Sequence, residues 1–322
     1  MSKNYLLIDG NSLGHFYNNA KPLHLGEFQV QAIHGFLKGL REQIAMFQNY
    51  QPVVLWDGAS WRKLMFAAYK DNREKRETKN EIKVQDQKDA YKKQQPYIRK
   101  ALRFLGVPQV MALNMEADDL GAILTDRYVK NGGNIILLTG DKDWLQLVGP
   151  GVVWRDFVNH RLVTQKDFKE FTGVDTIRQF VEVKALAGDM GDNVAGVGGI
   201  GQKGAVDFIN QYGSVSAFTN ACILDKSIDV AKLPKKYRAL VDDEDKAITF
   251  SRNIDLMDLR TTARPAPQAL EVDKGDPSKE KFRQFCELLL FKSILKDFDS
   301  WISVFPAFRE RRRRLQPNNT KE

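Results

Sequence analysis

The chain has little of what disulfide-rich, zinc-binding or membrane proteins are built from. Its 322 residues hold two cysteines, Cys222 and Cys286, which make no disulfide framework or zinc pattern. Four histidines, His15, His24, His34 and His160, fall in no metal-ligand spacing, so a metal here must be held by oxygen. No apolar run approaches the roughly 20 residues of a membrane span. The start, MSKNYLLIDGNS, reaches a strand-like run and an acid too soon for a signal peptide's apolar region. These absences set the expectation of a cytoplasmic, reducing compartment and no membrane partner.

With 43% hydrophobic and 28% charged residues, the chain can bury a sizeable core, in about two domains. The net charge of +8 is unevenly placed: residues 62–103 hold 14 Lys/Arg against 6 Asp/Glu, which accounts for the whole excess. Such a segment suits a polyanion, although a charge run is more often a solvated face.

Three apolar runs stop at an acid: YLLID (5–9), PVVLWD (52–57) and NIILLTGDKD (134–143). Between them, Val30, Ile33, Phe36, Leu37, Leu40 and Ile44 recur at helical spacing. Alternating strand and helix predicts an α/β fold, a mostly parallel sheet with helices on both faces and ligands beyond the strands' carboxyl ends. Residues 62–103 read as a basic helical insertion within a core spanning 1–185. VVWRDFVNHRLVT (152–164) reads as a hairpin, 261–280 as a linker, and 186–305 as a helical domain with a glycine-rich break at 188–212. The basic tail, 306–322, is expected to be disordered, its Arg311–Arg314 run available for non-specific binding.

NMEADDLGAI (114–123) sets Glu116, Asp118 and Asp119 ahead of an apolar helical pattern. Alone, these acids read as complements to a helix dipole with Asn114 as N-cap. Asp9 and Asp57 end two strands, Asp141 and Asp143 follow a third, and Asp189 and Asp192 stand at i and i+3 in GDMGDN. Nine carboxylates converging on one point would repel unless cations neutralised them, and oxygen-only ligands select Mg²⁺ or Mn²⁺. Two such ions about 4 Å apart are a standard device for attack on a phosphodiester.

IDGNS, LWDG, WRK…YKDNR, EADD, TGDKD, KALAGDMGDN and GVGGIGQKGA stand in the order seen in the 5′-nuclease family of flap endonucleases and bacterial DNA polymerase I 5′-nuclease domains. The chain resembles that family from about residue 5 to 210, more weakly to 297, and looks most like the stand-alone bacteriophage enzymes. The resemblance implies a divalent-metal-dependent, structure-specific 5′→3′ exonuclease and flap endonuclease. It would act as a monomer on branched or 5′-ended DNA, with RNA primers as a further substrate. It also implies that Asp9, Asp57, Glu116, Asp118, Asp119 and Asp141 surround a first metal, and Asp143, Asp189 and Asp192 a second. The basic insertion would be an arch over the site, with Lys70 on the scissile phosphate, Tyr69 stacked on a terminal base and Arg73 on a phosphate oxygen. Arg62 would be a lesser DNA contact. GVGGIGQKGA would be a helix-hairpin-helix gripping duplex through Gly198, Gly199, Gly201 and Lys203, with Lys184 nearby and a K⁺ ion in the loop. Two rival readings remain, a PIN-type ribonuclease and a branched-DNA-binding protein without chemistry. The glycine loop and basic insertion argue against the first, and retention of all nine acids against the second.

Overall fold

The computed structural model describes residues 3–71 and 79–309. YLLID becomes strand β1 (Asn4–Asp9), whose last residue caps helix α1 (Gly10–Asn18). A short hairpin, β2 (His24–Leu25) and β3 (Phe28–Gln29), leads to α2 (Gln31–Met46), where the predicted apolar stripe is buried. PVVLWD gives β4 (Tyr50–Trp56). The short α3 (Arg62–Met65) and long α4 (Lys79–Leu105) precede β5 (Gln109–Met111) and α5 (Ala117–Lys130). The third run gives β6 (Ile135–Leu138) and a 3-10 turn at Lys142–Leu147, then the expected hairpin of β7 (Val152–Asp156) and β8 (Arg161–Val163). Past α6 (Phe168–Thr172), helices α7 (Ile177–Ala187) and α8 (Gln202–Tyr212) flank a ribbon, β9 (Gly188–Asp189) with β10 (Val194–Ala195), and the glycine loop. Then follow α9 (Val215–Ile223), α10 (Lys235–Asp242), α11 (Glu244–Met257), β11 (Glu271–Asp273), α12 (Lys279–Leu288), α13 (Lys292–Leu295) and α14 (Phe298–Ile302).

Seven strands form one sheet in the order β11-β5-β4-β1-β6-β7-β8. The five central strands are parallel, and β8 and β11 close the two edges antiparallel. Strand side chains alternate between two cores. Leu6, Ile8, Val54, Trp56, Ile136 and Leu138 face a layer built from α1, α2 and α4. Leu7, Val53, Leu55, Ile135 and Leu137 face the opposite layer, which holds residues of α5, α7 and α8. Burial on both faces explains why these runs read as continuously apolar. The chain leaves β1 toward β4 and β5 and returns to its other side at β6, so strand order reverses beside β1. Crevices at such reversals are where ligands bind in open α/β sheets.

Three expectations need correcting. Residues 62–103 do not leave the core as one insertion, because Tyr91, Ile98, Leu102 and Leu105 form a buried face on α4. Gln94, fully buried, accepts from the Ala32 N–H at 2.8 Å and donates to Asn18 at 3.1 Å, fastening α4 to α1 and α2. The stretch 261–280 is not only linker, since β11 adds a strand to β5 by backbone pairing. Nor is 186–305 one unit. Phe282, Phe285, Phe298, Trp301, Phe305 and Phe308 return to the α2/α4 layer, where Phe282 stacks on Trp301 with centroids 5.4 Å apart. Each such buried aromatic contributes about 1.5–3 kcal/mol by area, enough to hold the return.

Candidate active site

The acids are set by strand ends and helix starts. Asp9 accepts from the Ser12 N–H and the Thr139 hydroxyl, both at 2.9 Å, so it caps α1 and is tied to β6. One strand over, Asp57 accepts from the Ala117 N–H at 2.7 Å and from the Asn11 amide. Glu116, not Asn114, is the N-cap of α5. Asn114 instead anchors the segment before β11, donating to the Ala266 carbonyl at 3.0 Å and accepting from Gln268 at 2.8 Å. Asp118 accepts from the Trp144 indole at 2.6 Å. Asp141 accepts from the Asp143 N–H at 2.8 Å, and Asp189 from the Gly191 N–H at 2.8 Å.

Two cavities sharing Lys70, Asp118 and Asp141 bring eight of the nine acids together. The smaller, ≈ 200 Å³, is also lined by Asp143, Asp189 and Asp192, and the larger, ≈ 550 Å³, by Asp9, Asp57 and Glu116. Asp119 lines neither. Fully buried, it receives both ends of the Arg62 guanidinium at 3.0 Å and the Trp61 indole at 3.2 Å. Arg62, 2% exposed, also donates to Glu116 at 3.1 Å and the Leu256 carbonyl at 2.7 Å, so it cannot reach DNA as expected. The fork arranges α5 from behind.

Tyr69 also departs from expectation. Its ring is buried, and its hydroxyl lies 2.9 Å from Asp192 and 3.1 Å from Glu116, leaving no open face for a base. Lys70 does reach the site, pairing with Glu116 and lying 3.7 Å from Asp192. Its backbone is left-handed, φ 62°, as is that of Asn193, φ 58°. These turns are laced together: the Lys70 N–H donates to the Asp192 carbonyl at 2.8 Å, and the Asn193 amide to the Ala68 carbonyl at 2.7 Å. Strained backbone held by its surroundings is a common feature of functional sites. Lys184 pairs with Asp143 and lies 3.7 Å from Asp189. Arg73 lies outside the described residues, as does the Arg311–Arg314 tail.

Crowding marks the electrostatics. Burial first, then Asp57, raises Asp9 to about 7; burial and Asp143 raise Asp141 to about 6. Burial and Asp141 push Asp118 well above its ordinary value, and burial raises Asp57. For Glu116 burial is outweighed by Lys70 and Arg62, and its pKa falls. Among the described residues no three acids close round a common point as a ready ion cage, and the ammonium groups of Lys70 and Lys184 stand among the carboxylates.

At the glycine loop, Gly198 and Gly199 adopt φ 90° and 71°, a backbone that side chains disfavour, whereas Gly201 begins α8 in ordinary extended conformation. Lys203 is exposed on the first turn of α8. Sequence reasoning missed two further lysines: a Cβ on Gly198 would stand 3.1 Å from the Lys246 ammonium, and one on Gly204 3.5 Å from that of Lys236. It missed Ser60, Trp61 and Trp144 as well, whose donors hold Glu116, Asp119 and Asp118. Trp61 opens the WRK motif and Ser60 directly precedes it, the one signal that pointed there.

Comparison with known proteins matches two family models along the chain. Residues 4–173 match the 5′-3′ exonuclease N-terminal resolvase-like domain, and residues 176–278 the 5′-3′ exonuclease C-terminal SAM fold. The thermostable DNA polymerase I of Thermus filiformis is 31% identical over 309 residues, 92% of this chain but 33% of the polymerase, so the chain spans about a third of that relative. The flap endonuclease Xni of Shewanella sediminis is 31% identical over 66% of this chain and 78% of its own length. The 5′-3′ exonuclease of Aquifex aeolicus is 27% identical, covering 92% of this chain and 96% of its own. Among solved structures, the zinc-bound T5 5′-exonuclease superposes with TM-score 0.65 at 25% identity, over 80% of this chain and 90% of that one. With both of its domains matched in sequence and its sheet and helical layers matched in space, the chain belongs to the 5′-3′ exonuclease family.

Proposed function

We propose that the chain is a divalent-metal-dependent nuclease that cuts DNA at 5′ ends and 5′ flaps, as exonuclease and flap endonuclease. The observation that carries this reading is the convergence of eight carboxylates on two joined cavities, with Lys70 among them. An all-oxygen, acid-crowded donor set fits a hard divalent ion, Mg²⁺ with Mn²⁺ as substitute, and opposes soft ones. Asp9, Asp57, Glu116, Asp118 and Asp141 are suited to hold one ion, and Asp143, Asp189 and Asp192 a second. Asp119 serves by fixing Arg62. When bound, such ions would supply an activated water and charge stabilisation for the phosphodiester. The T5 flap endonuclease structure with DNA and metal ions, 26% identical with TM-score 0.63, supports the assignment.

Lys70 directs positive charge toward a scissile phosphate, and its pairing with Glu116 and Asp192 sets where that charge stands. The glycine loop, Lys203 and the nearby Lys236 and Lys246 suit a duplex backbone, which gives affinity without sequence preference. The test is cleavage of a 5′-labelled flap and a nicked duplex in Mg²⁺, with an RNA–DNA hybrid and an RNA hairpin beside them. Short 5′-phosphorylated products from the DNA substrates are expected. Full activity after joint Asp143→Asn and Asp192→Asn substitution overturns the metal assignment, and preference for the RNA hairpin favours a ribonuclease.

A further inference from the structure

Among the described residues, Arg62, Lys70 and Lys142 line the acidic cavities and Lys184 pairs with two of their acids; all but Lys142 are held by the acids themselves. Arg62 forks onto Asp119 and Glu116, Lys70 pairs with Glu116 and Asp192, and Lys184 with Asp143 and Asp189. Lys142 differs. It is exposed and lines the larger cavity together with Asp9, Asp57, Lys70 and Asp118. Both of its sequence neighbours are engaged elsewhere: Asp141 receives the Asp143 N–H, and Asp143 receives the Lys184 ammonium. Among the described residues no carboxylate lies within ion-pair distance of Lys142.

The geometry points to Lys142 as a phosphate-binding residue for the strand being cut, holding a phosphodiester next to the one that Lys70 faces. The inference rests on the nuclease reading of the site. A nucleic-acid strand entering this cavity brings negative charge toward a wall of carboxylates, and a cation on that wall lowers the repulsion. Lys70 is fixed in its contacts with Glu116 and Asp192, so its charge serves one place. Lys142 comes from a different element, the turn after β6, and its long stem lets the ammonium follow a phosphate that is not rigidly placed. A phosphate contact of this kind gives affinity without base preference and releases counterions.

The experiment compares wild type, Lys142→Ala, Lys142→Gln and Lys142→Arg on a 5′-flap oligonucleotide. Binding is read by fluorescence anisotropy across a salt series with Ca²⁺ in place of Mg²⁺, cleavage by KM and kcat in Mg²⁺, and folding by thermal denaturation. Expected for the Ala and Gln variants is a three- to tenfold weaker affinity, with a salt slope shallower by about 0.7–0.9, the signature of one lost phosphate contact. The loss falls on KM more than on kcat, and Lys142→Arg restores most of it. Wild-type affinity and slope in folded Lys142→Ala overturn the inference while leaving the nuclease reading intact. A wild-type protein that neither binds nor cuts the flap overturns that reading, and this assignment with it.

Discussion

Arg62 separates two accounts of the basic segment. If it met DNA, replacing it would leave the fold alone and lower the salt dependence of binding by about one contact. The structure gives it another task. Its side chain is 3% exposed, and its guanidinium makes two 3.0 Å bonds to Asp119, one of 3.1 Å to Glu116 and one of 2.7 Å to the Leu256 carbonyl. Removing one partner of a buried ion pair costs about 3–5 kcal/mol, because the other charge stays buried without compensation. Asp119 would keep the Trp61 indole and the Glu116 N–H, both at 3.2 Å, which argues for the lower end. The stranded Leu256 carbonyl adds about 1 kcal/mol or more. Arg62→Ala should therefore destabilise by about 3–5 kcal/mol, a fall on the order of 4–7 °C for a chain of this size. Urea denaturation followed by tryptophan fluorescence measures the first, and a thermal scan the second. In a double-mutant cycle, Arg62→Met with Asp119→Leu should cost less than the sum of the single changes, since the pair is removed together. Unchanged stability in Arg62→Ala, with a shallower salt slope for DNA, would refute the reasoning.

Asp143→Asn and Asp192→Asn should each lower kcat on a flap by more than the roughly 10–100-fold typical of an outer-shell change, with DNA affinity nearly kept; single-turnover cleavage and anisotropy measure the two. Lys70→Met should cost about 10²–10³ in the single-turnover rate, as for loss of a charge-stabilising donor, and a loss under threefold would remove Lys70 from the chemistry. Chelation by EDTA should abolish cleavage. Mg²⁺ should raise the unfolding temperature, by about 2.7 kcal/mol of stabilisation at a hundred times its dissociation constant, and a thermal scan blind to Mg²⁺ would count against any ion site. Trp301→Ala, far from the acids, should cost about 3–5 kcal/mol by urea denaturation, because its ring fills the layer shared with Phe282 and Phe305.

Much of the fold was legible because burial on both faces writes strands as unbroken apolar runs. YLLID, PVVLWD and NIILL each announced a central strand, and the acid after each run marked its carboxyl end. The helix α2 and the hairpin of β7 and β8 were equally plain, from the helical spacing of Val30 to Ile44 and from the pattern of VVWRDFVNHRLVT. What stayed hidden depends on partners far away in sequence. The buried face of α4 lies in a helix whose other sides are rich in Lys and Gln, so composition pointed to solvent while Tyr91, Ile98 and Leu102 packed inward. The strand β11, Glu-Val-Asp, carries no apolar pattern, since an edge strand can be held by backbone bonds alone. Helix α12 reads as helix from its own residues, but nothing local says that Phe282 and Phe285 return to the first layer.

The candidate site shows the same division with a sharper lesson. A carboxylate's place at a strand end is local information, and eight of nine acids meet where the runs end. Which way a basic residue turns is not local. Arg62 and Lys70 both sit in the charge-rich stretch that suggested an outward polyanion surface, yet both turn inward to acids more than forty residues on. An acidic cluster of this density has to be folded before it can bind anything, and buried like charges oppose that step. Inward-facing cations on the same chain lower that repulsion, and Glu116, held below its ordinary pKa by Lys70 and Arg62 against the effect of burial, is the visible result. Part of the basic excess in residues 62–103 therefore supports the site from within. Counting charges along the sequence therefore hid the residues that position α5.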